Sequence, residues 1–225
     1  GSEMCIRDRV TGDIVTSYIH GGGRIGVIIA AKGTNNDAAK EALTNIAMQV
    51  AAMNPQYISR NDISEEELAK IKDITTDSAL NDATTLPKPI LNKLLDKAIN
   101  EKLWSEDDIQ QFEEHKNNMN YVWNFLSDAA KAKLGELAMA DKESIVAEKM
   151  FAGVVDGRVS KQLKEICLLD QTYVKAEDGK QSVAKYLESV SKDIVITEMV
   201  RFEVGEGLEK KNEDFAAEVA AQAGM

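Results

Sequence analysis

The chain has 225 residues and a mass of 24.7 kDa, enough for one large domain or two small ones that lose roughly 70% of their unfolded surface on folding. With 44% hydrophobic and 29% charged residues it is too apolar for global disorder, and a net charge of −11 sets it against phosphate backbones, so direct nucleic-acid binding is not expected while a basic protein surface stays open as a partner. Two cysteines, Cys5 and Cys167, exclude a disulfide framework or a cysteine metal cluster and fit a reducing, cytoplasmic setting, and no apolar run reaches the ~18 residues of a membrane span.

The first structured stretch is a hairpin. Residues 13–20 hold Ile14, Val15, Thr16, Tyr18 and Ile19, and residues 24–31 follow after Gly21, Gly22 and Gly23. β-Branched and aromatic side chains favour strand, and glycine supplies the positive φ the turn requires. The second strand is apolar on both faces, as in the middle of a sheet. Asn36 or Asp37 then caps a helix with Ala39, Leu43, Ile46, Ala47 and Val50 at helical spacing, ended by Asn54-Pro55. Ser64-x-x-Glu67 is a capping box that opens a short polar helix.

Residues 75–140 change character and read as an inserted helical hairpin or small bundle. Pro87 and Pro89 mark a loop, and Ile90, Leu91, Leu94, Leu95 and Ala98 mark a helix face. Ser105 opens another helix, with Asp108 three residues on, and Val122, Phe125, Leu126, Ala129 and Leu137 are expected on one longer helix. Beyond it, Asp141 caps a helix carrying Ile145, Val146 and Met150, which Gly153 and Gly157 interrupt. Residues 158–169 form another helix, residues 171–175 are extended, and residues 182–191 are helical again. Ile194, Ile196, Val200, Phe202 and Val204 fall at even spacing, a strand signal. Phe215, Ala216, Val219 and Ala220 stripe a final helix. The late strand has only the hairpin to pair with, so the expected class is α+β: a three-stranded antiparallel sheet packed with helices. Residues 1–9 carry no fold pattern, no signal peptide is read there, and they are set aside as a tag- or cloning-derived tail.

No catalytic constellation stands out. His115 lies in the charged run Glu113-Glu114-His115-Lys116 and reads as a surface residue, whereas His20 sits at a glycine-rich hairpin tip, a good place for contacts. Residues 21–26, Gly-Gly-Gly-Arg-Ile-Gly, lack the Gly-Lys-Ser/Thr ending of a phosphate loop and precede a strand, so a tight turn is the reading. Cys167 has no histidine nearby in sequence and reads as a buried structural cysteine. A divergent enzyme would need a polar pocket built on His20 or Cys167. No cofactor or metal is expected.

Tyr18-Ile19-His20-Gly21 with Gly23-Arg24-Ile25-Gly26-Val27, the helix Ile46-Ala47-Met48-Gln49-Val50-Ala51-Ala52, Ala147-Glu148-Lys149-Met150 with Gly157-Arg158, and Leu168-Leu169-x-Gln171-x-Tyr173-Val174 come in a telling order. Arg201-Phe202-Glu203-Val204-Gly205-Glu206-Gly207-Leu208-Glu209-Lys210 and Asp214-Phe215-Ala216-Ala217-Glu218-Val219-Ala220 complete it. Together these segments resemble bacterial elongation factor Ts, the nucleotide exchange factor of elongation factor Tu. The resemblance covers residues 11–74 and 141–222, so residues 10–74 and 141–225 are expected to be the C-terminal half of that family's core with its C-terminal module. It leaves 75–140 as an insertion longer than the family's usual helical hairpin.

The resemblance implies a docking protein with no chemistry of its own. His20 and Val174 match family contact residues, Lys175 adjoins the second, and Tyr18, Gly21 and Arg24 flank the first. The family's N-terminal helical domain and its Thr-Asp-Phe-Val motif, which disturbs the magnesium and phosphate site of the GTPase, are not found, and Thr75-Thr76-Asp77-Ser78 is not that motif. The expectation is a fragment that binds elongation factor Tu and promotes GDP release weakly or not at all. The alternative is a self-association module, a possible homodimer, in which Ile90, Leu94, Trp104, Phe112 and Phe125 bury against a second copy instead of filling their own core.

Overall fold

The computed structural model describes residues 10–206. The residue 1–9 tail with Cys5, and the final helix expected around Phe215, lie outside the described residues. The chain divides into two compact units, one of residues 10–54 with 172–206 and one of Pro55–Gln171.

The first unit is α+β. Strands β1 (Ile14–His20) and β2 (Ile25–Lys32) form the hairpin, helix α1 (Asp37–Met53) follows, and β3 (Val195–Glu203) completes an antiparallel sheet of order β1-β2-β3. The doubly apolar strand is therefore the central one, as its composition requires. Asn36 caps α1 by accepting the Ala39 N–H at 2.8 Å, and Asn54 ends it in the left-handed conformation at φ 46°. Ala39, Leu43, Ile46, Ala47 and Val50 are buried on α1, which packs on β1 and β2 over Ile14, Val27 and Ile29.

The even spacing along β3 does not put its apolar residues on one face. A bulge sets a register shift between Ala30 and Ala31, so Ile196 pairs with Ala31 on the buried side while Val200 and Phe202 pair with Ile28 and Gly26 on the other. Ile196 is buried, and Phe202 is 40% exposed.

The second unit is helical among the described residues: α2 (Glu65–Asn81), α3 (Lys88–Asn100), α4 (Glu106–His115), α5 (Met119–Val122), α6 (Asp128–Ala140), α7 (Lys142–Ala147) and α8 (Lys149–Ile166). It runs wider than residues 75–140, because its ends are zipped together. Gln56 and Tyr57 donate N–H groups to the Ile166 carbonyl, and the Leu168 N–H returns 2.8 Å to the Tyr57 carbonyl. The Ser64 capping box forms as read, but the helix behind it is seventeen residues long, since Thr75, Thr76, Ala79 and Leu80 bury its second half.

Three local expectations in this unit are overturned by packing. Gly153 and Gly157 do not break α8: Phe151, Val155 and Leu163 are buried along it, and that burial outweighs the ~1 kcal/mol each glycine costs. The helix break falls at Glu148 instead. Pro89 lies inside the first turn of α3, where its missing N–H costs nothing. The helix expected across 122–137 is two helices, because Ser127 is drawn into a cap: its hydroxyl accepts the Ala130 N–H, while Asp108 accepts the Ser127 N–H at 2.8 Å and its hydroxyl at 2.9 Å.

Asp108 also accepts the Ser105 hydroxyl at 2.7 Å, so one carboxylate ties the N-termini of α4 and α6. Burial pushes its pKa up, but the bonds from Ser105 and Ser127 outweigh burial and hold it below the ordinary value. Ile90, Leu94, Trp104 and Phe112 fill this unit's own core, the Trp104 indole N–H donating to the Ala130 carbonyl. Phe125 is 45% exposed and stacks on His115 with ring centroids 3.6 Å apart, so His115 is not a bare surface residue. No helix among the described residues is long and apolar enough to cross a membrane.

Candidate docking surface

Three successive glycines build the tip of the β1–β2 hairpin. Gly21, Gly22 and Gly23 all take positive φ, 61°, 67° and 97°, which side chains resist. The turn is thereby short, and it projects His20, the last residue of β1. His20 is exposed, and the Tyr18 hydroxyl lies 3.0 Å from its Nδ1, with the two rings 5.9 Å apart. Positions 18 and 20 share a strand face, so Tyr18 acts as a prop for the imidazole. Arg24 directly precedes β2 and is exposed, and its carbonyl accepts the Val204 N–H at 2.9 Å, which ties the end of β3 to the tip.

Two shallow depressions flank this tip. One is lined by His20, Gly21, Arg24, Ile25, Glu203 and Val204. The other lies on the opposite sheet face, where Gly26 stands between Ile19 and Phe202 across the ladder. With no side chain at Gly26, Ile19 and Phe202 wall a small apolar hollow; Ile19 is 71% exposed and Val204 76%. These three residues were not singled out from the sequence as contacts. The available signal was Ile19 between two polar-tipped neighbours on the opposite face of an exposed tip.

Val174 and Lys175 stand on a separate segment. The Val174 N–H donates to the Gln49 Oε1 at 2.8 Å, and the Lys175 ammonium donates to the Asn45 Oδ1 at 2.7 Å. Gln49 also donates to the Thr172 carbonyl at 3.1 Å, and Asn45 donates to the Tyr186 hydroxyl at 3.0 Å. Tyr186, on helix α9 (Val183–Val190), stacks on Tyr173 with centroids 4.0 Å apart. Burial, then the bond with Tyr186, pushes the Tyr173 hydroxyl above its ordinary pKa. Among the described residues no hydrogen bond or ring contact joins this segment to Tyr18, His20, Gly21 or Arg24. Their common support is α1, which meets β1 through a 3.1 Å Thr16–Thr44 hydroxyl bond and holds the other segment through Asn45 and Gln49.

Cys167 is wholly buried, and burial pushes its thiol pKa up. It lies at the bridge with Tyr57 that closes the helical unit, a packing position. The surface around His20 is thus an exposed tip, joined by a backbone bond to the end of β3 and suited to contact, with side chains that can donate, accept and bury apolar area.

The family model described as elongation factor TS matches residues 5–206. Curated proteins named elongation factor Ts are similar throughout. The one from Clostridioides difficile (strain 630) is 35% identical over 216 residues, 95% of this chain and 51% of the relative. That from Clostridium perfringens (strain 13 / Type A) is 36% identical over 233 residues, 100% and 56% respectively. That from Aliarcobacter butzleri (strain RM4018) is 34% identical over 230 residues, 96% and 58%. The chain belongs to the elongation factor Ts family, and it spans about half the length of the curated relatives it matches.

Proposed function

We propose that these residues form a docking part of a translation elongation factor that binds elongation factor Tu. The observation that carries the reading is His20: an exposed imidazole, propped by Tyr18, at a hairpin tip turned by three positive-φ glycines, in a chain of this family. Gly21 and Arg24 frame that contact, and Val174 and Lys175, held by Gln49 and Asn45, supply a second one. A partner meeting pre-positioned groups loses less conformational freedom on binding. In an exchange factor the work is done by linkage: tighter binding to the nucleotide-free partner than to the GDP-bound one weakens GDP binding by the same factor. The 225 residues hold no Thr-Asp-Phe-Val, the motif tied by family resemblance to opening the magnesium site, so we propose docking with little or no acceleration of GDP release.

The test measures binding to purified elongation factor Tu and release of a fluorescent GDP analogue in the same samples. The unmodified chain is expected to bind without accelerating release, and His20→Ala to weaken binding by about tenfold or more, as a central contact residue does. Equal binding by His20→Ala would remove the tip from the interface. Strong acceleration would show that these residues open the nucleotide site on their own. Self-association through the helical unit gains no support, since four of the five side chains offered for it are buried in that unit's own core.

A further inference from the structure

Tyr18 and His20 share their side of the sheet with two charged residues of β3. Tyr18 pairs with Val27 and Val27 with Arg201, while His20 pairs with Ile25 and Ile25 with Glu203. Directly paired positions point to one face, so all four lie on the side over which α1 packs. Arg201 is out of keeping with that place. Its side chain is only 12% exposed, and it stands beside the buried Val27. Its Nε–H is buried and meets no acceptor among the described residues. Its guanidinium bond among those residues runs from Nη2 to the Glu203 Oε2 at 2.8 Å.

That bond gives the fold little in return. The Glu203 side chain is 51% exposed, so water screens the pair, while taking a guanidinium out of water is costly. A methionine of similar reach would fill the position without that cost. What the arginine does supply is a fixed place for the Glu203 carboxylate. The backbone there is already held: the Glu203 N–H donates to the Glu206 Oε2 at 3.2 Å, its carbonyl accepts the Glu206 N–H at 3.0 Å, and the adjoining Val204 N–H reaches the Arg24 carbonyl. With Oε2 taken by Arg201, Oε1 has no partner among the described residues, and Glu203 lines the same depression as His20 and Arg24. A carboxylate only accepts hydrogen bonds, so what meets it must donate one.

We propose that Glu203 is a further contact residue of this docking surface, its Oε1 accepting an N–H or O–H donor of the docked partner beside His20, and that Arg201 is the positioning residue that holds the carboxylate ready. The proposal rests on the reading that elongation factor Tu docks at this tip. A side chain held before the encounter loses less freedom on binding, which is the gain set against the buried guanidinium.

The experiment measures binding of purified elongation factor Tu and the urea-unfolding midpoint for the unmodified chain, Arg201→Met, Glu203→Ala and the double variant. Glu101→Ala, an exposed acid of the helical unit, is the control of equal charge change. Glu203→Ala is expected to weaken binding about tenfold, and the control less than about twofold. Arg201→Met should weaken binding severalfold without lowering the midpoint, and should take nothing further from the Glu203→Ala variant, because it acts only through that carboxylate. Unchanged binding by Glu203→Ala, or a loss no greater than the control's, would overturn the contact while His20→Ala still reports on the tip. An Arg201→Met loss that persists in full without Glu203, or a lowered midpoint with binding intact, would overturn the positioning role. An unmodified chain that does not bind would overturn the partner and, with it, this contact.

Discussion

Gln49 offers the sharpest check on how the docking segment is held. It is a wholly buried amide on α1 that clamps an otherwise irregular stretch from both sides, donating to the Thr172 carbonyl at 3.1 Å and accepting the Val174 N–H at 2.8 Å. Gln49→Leu keeps the volume and removes both bonds. Each is worth about 1 kcal/mol net, and full orphaning of a buried group costs about 1–3 kcal/mol. Val174 is half exposed and Thr172 is exposed, so water can reach part of the freed backbone and the lower figure applies. The two bonds together come to about 2 kcal/mol, which predicts that the Val174 amide exchanges its hydrogen roughly thirtyfold faster. Amide exchange followed by NMR reads this directly, with amides in the middle of β2 as the internal reference. Binding of elongation factor Tu should fall with it, while the Tyr18–His20 contact persists. Exchange at Val174 changed by less than about threefold would refute the idea that Gln49 holds the segment.

Two further predictions concern the join between β2, α1 and β3. Gly33 sits at φ 132°, and a Cβ there would lie 2.7 Å from the Asp193 carbonyl oxygen, a backbone atom that cannot swing away. Gly33→Ala is therefore expected to cost at least ~2 kcal/mol in urea unfolding, and an unchanged midpoint would show that this backbone relaxes freely. Asp193 is held at about 2 by the Ser191 hydroxyl and then by the Thr34 hydroxyl and N–H, the latter two at 2.7 and 2.8 Å. Its folded pKa lies below the unfolded carboxylate value of about 4, so its stabilisation is complete above pH ~4 and is lost as the pH falls toward 2. The stability gap between the unmodified chain and Asp193→Asn should close over that window; a constant gap would contradict the assignment.

Much of the fold is legible because its signals are local. The Ser64 capping box, the glycine triplet, the caps at Asn36 and Asn54, and the apolar stripe of α1 act through neighbours in sequence, and each forms where composition puts it. The family membership was legible for the same reason, since it rests on runs of residues in order. The candidate contacts Tyr18, His20, Gly21, Arg24, Val174 and Lys175 came from that resemblance, and the sequence could not say what held them.

Tertiary structure decided what depends on distant partners. Helix α8 runs through two glycines because Phe151, Val155 and Leu163 find a core to bury in. The break before α6 exists because Asp108, nineteen residues earlier, takes the Ser127 N–H and hydroxyl. The bulge at Ala30/Ala31 turns an even-spaced strand over, burying Ile196 and exposing Phe202, and no count of residues along β3 alone contains that register. The same holds for the surface. Gln49 and Asn45 lie on the helix read from its apolar stripe, yet their work is on residues more than a hundred positions away, and only the folded chain brings those groups within hydrogen-bonding distance.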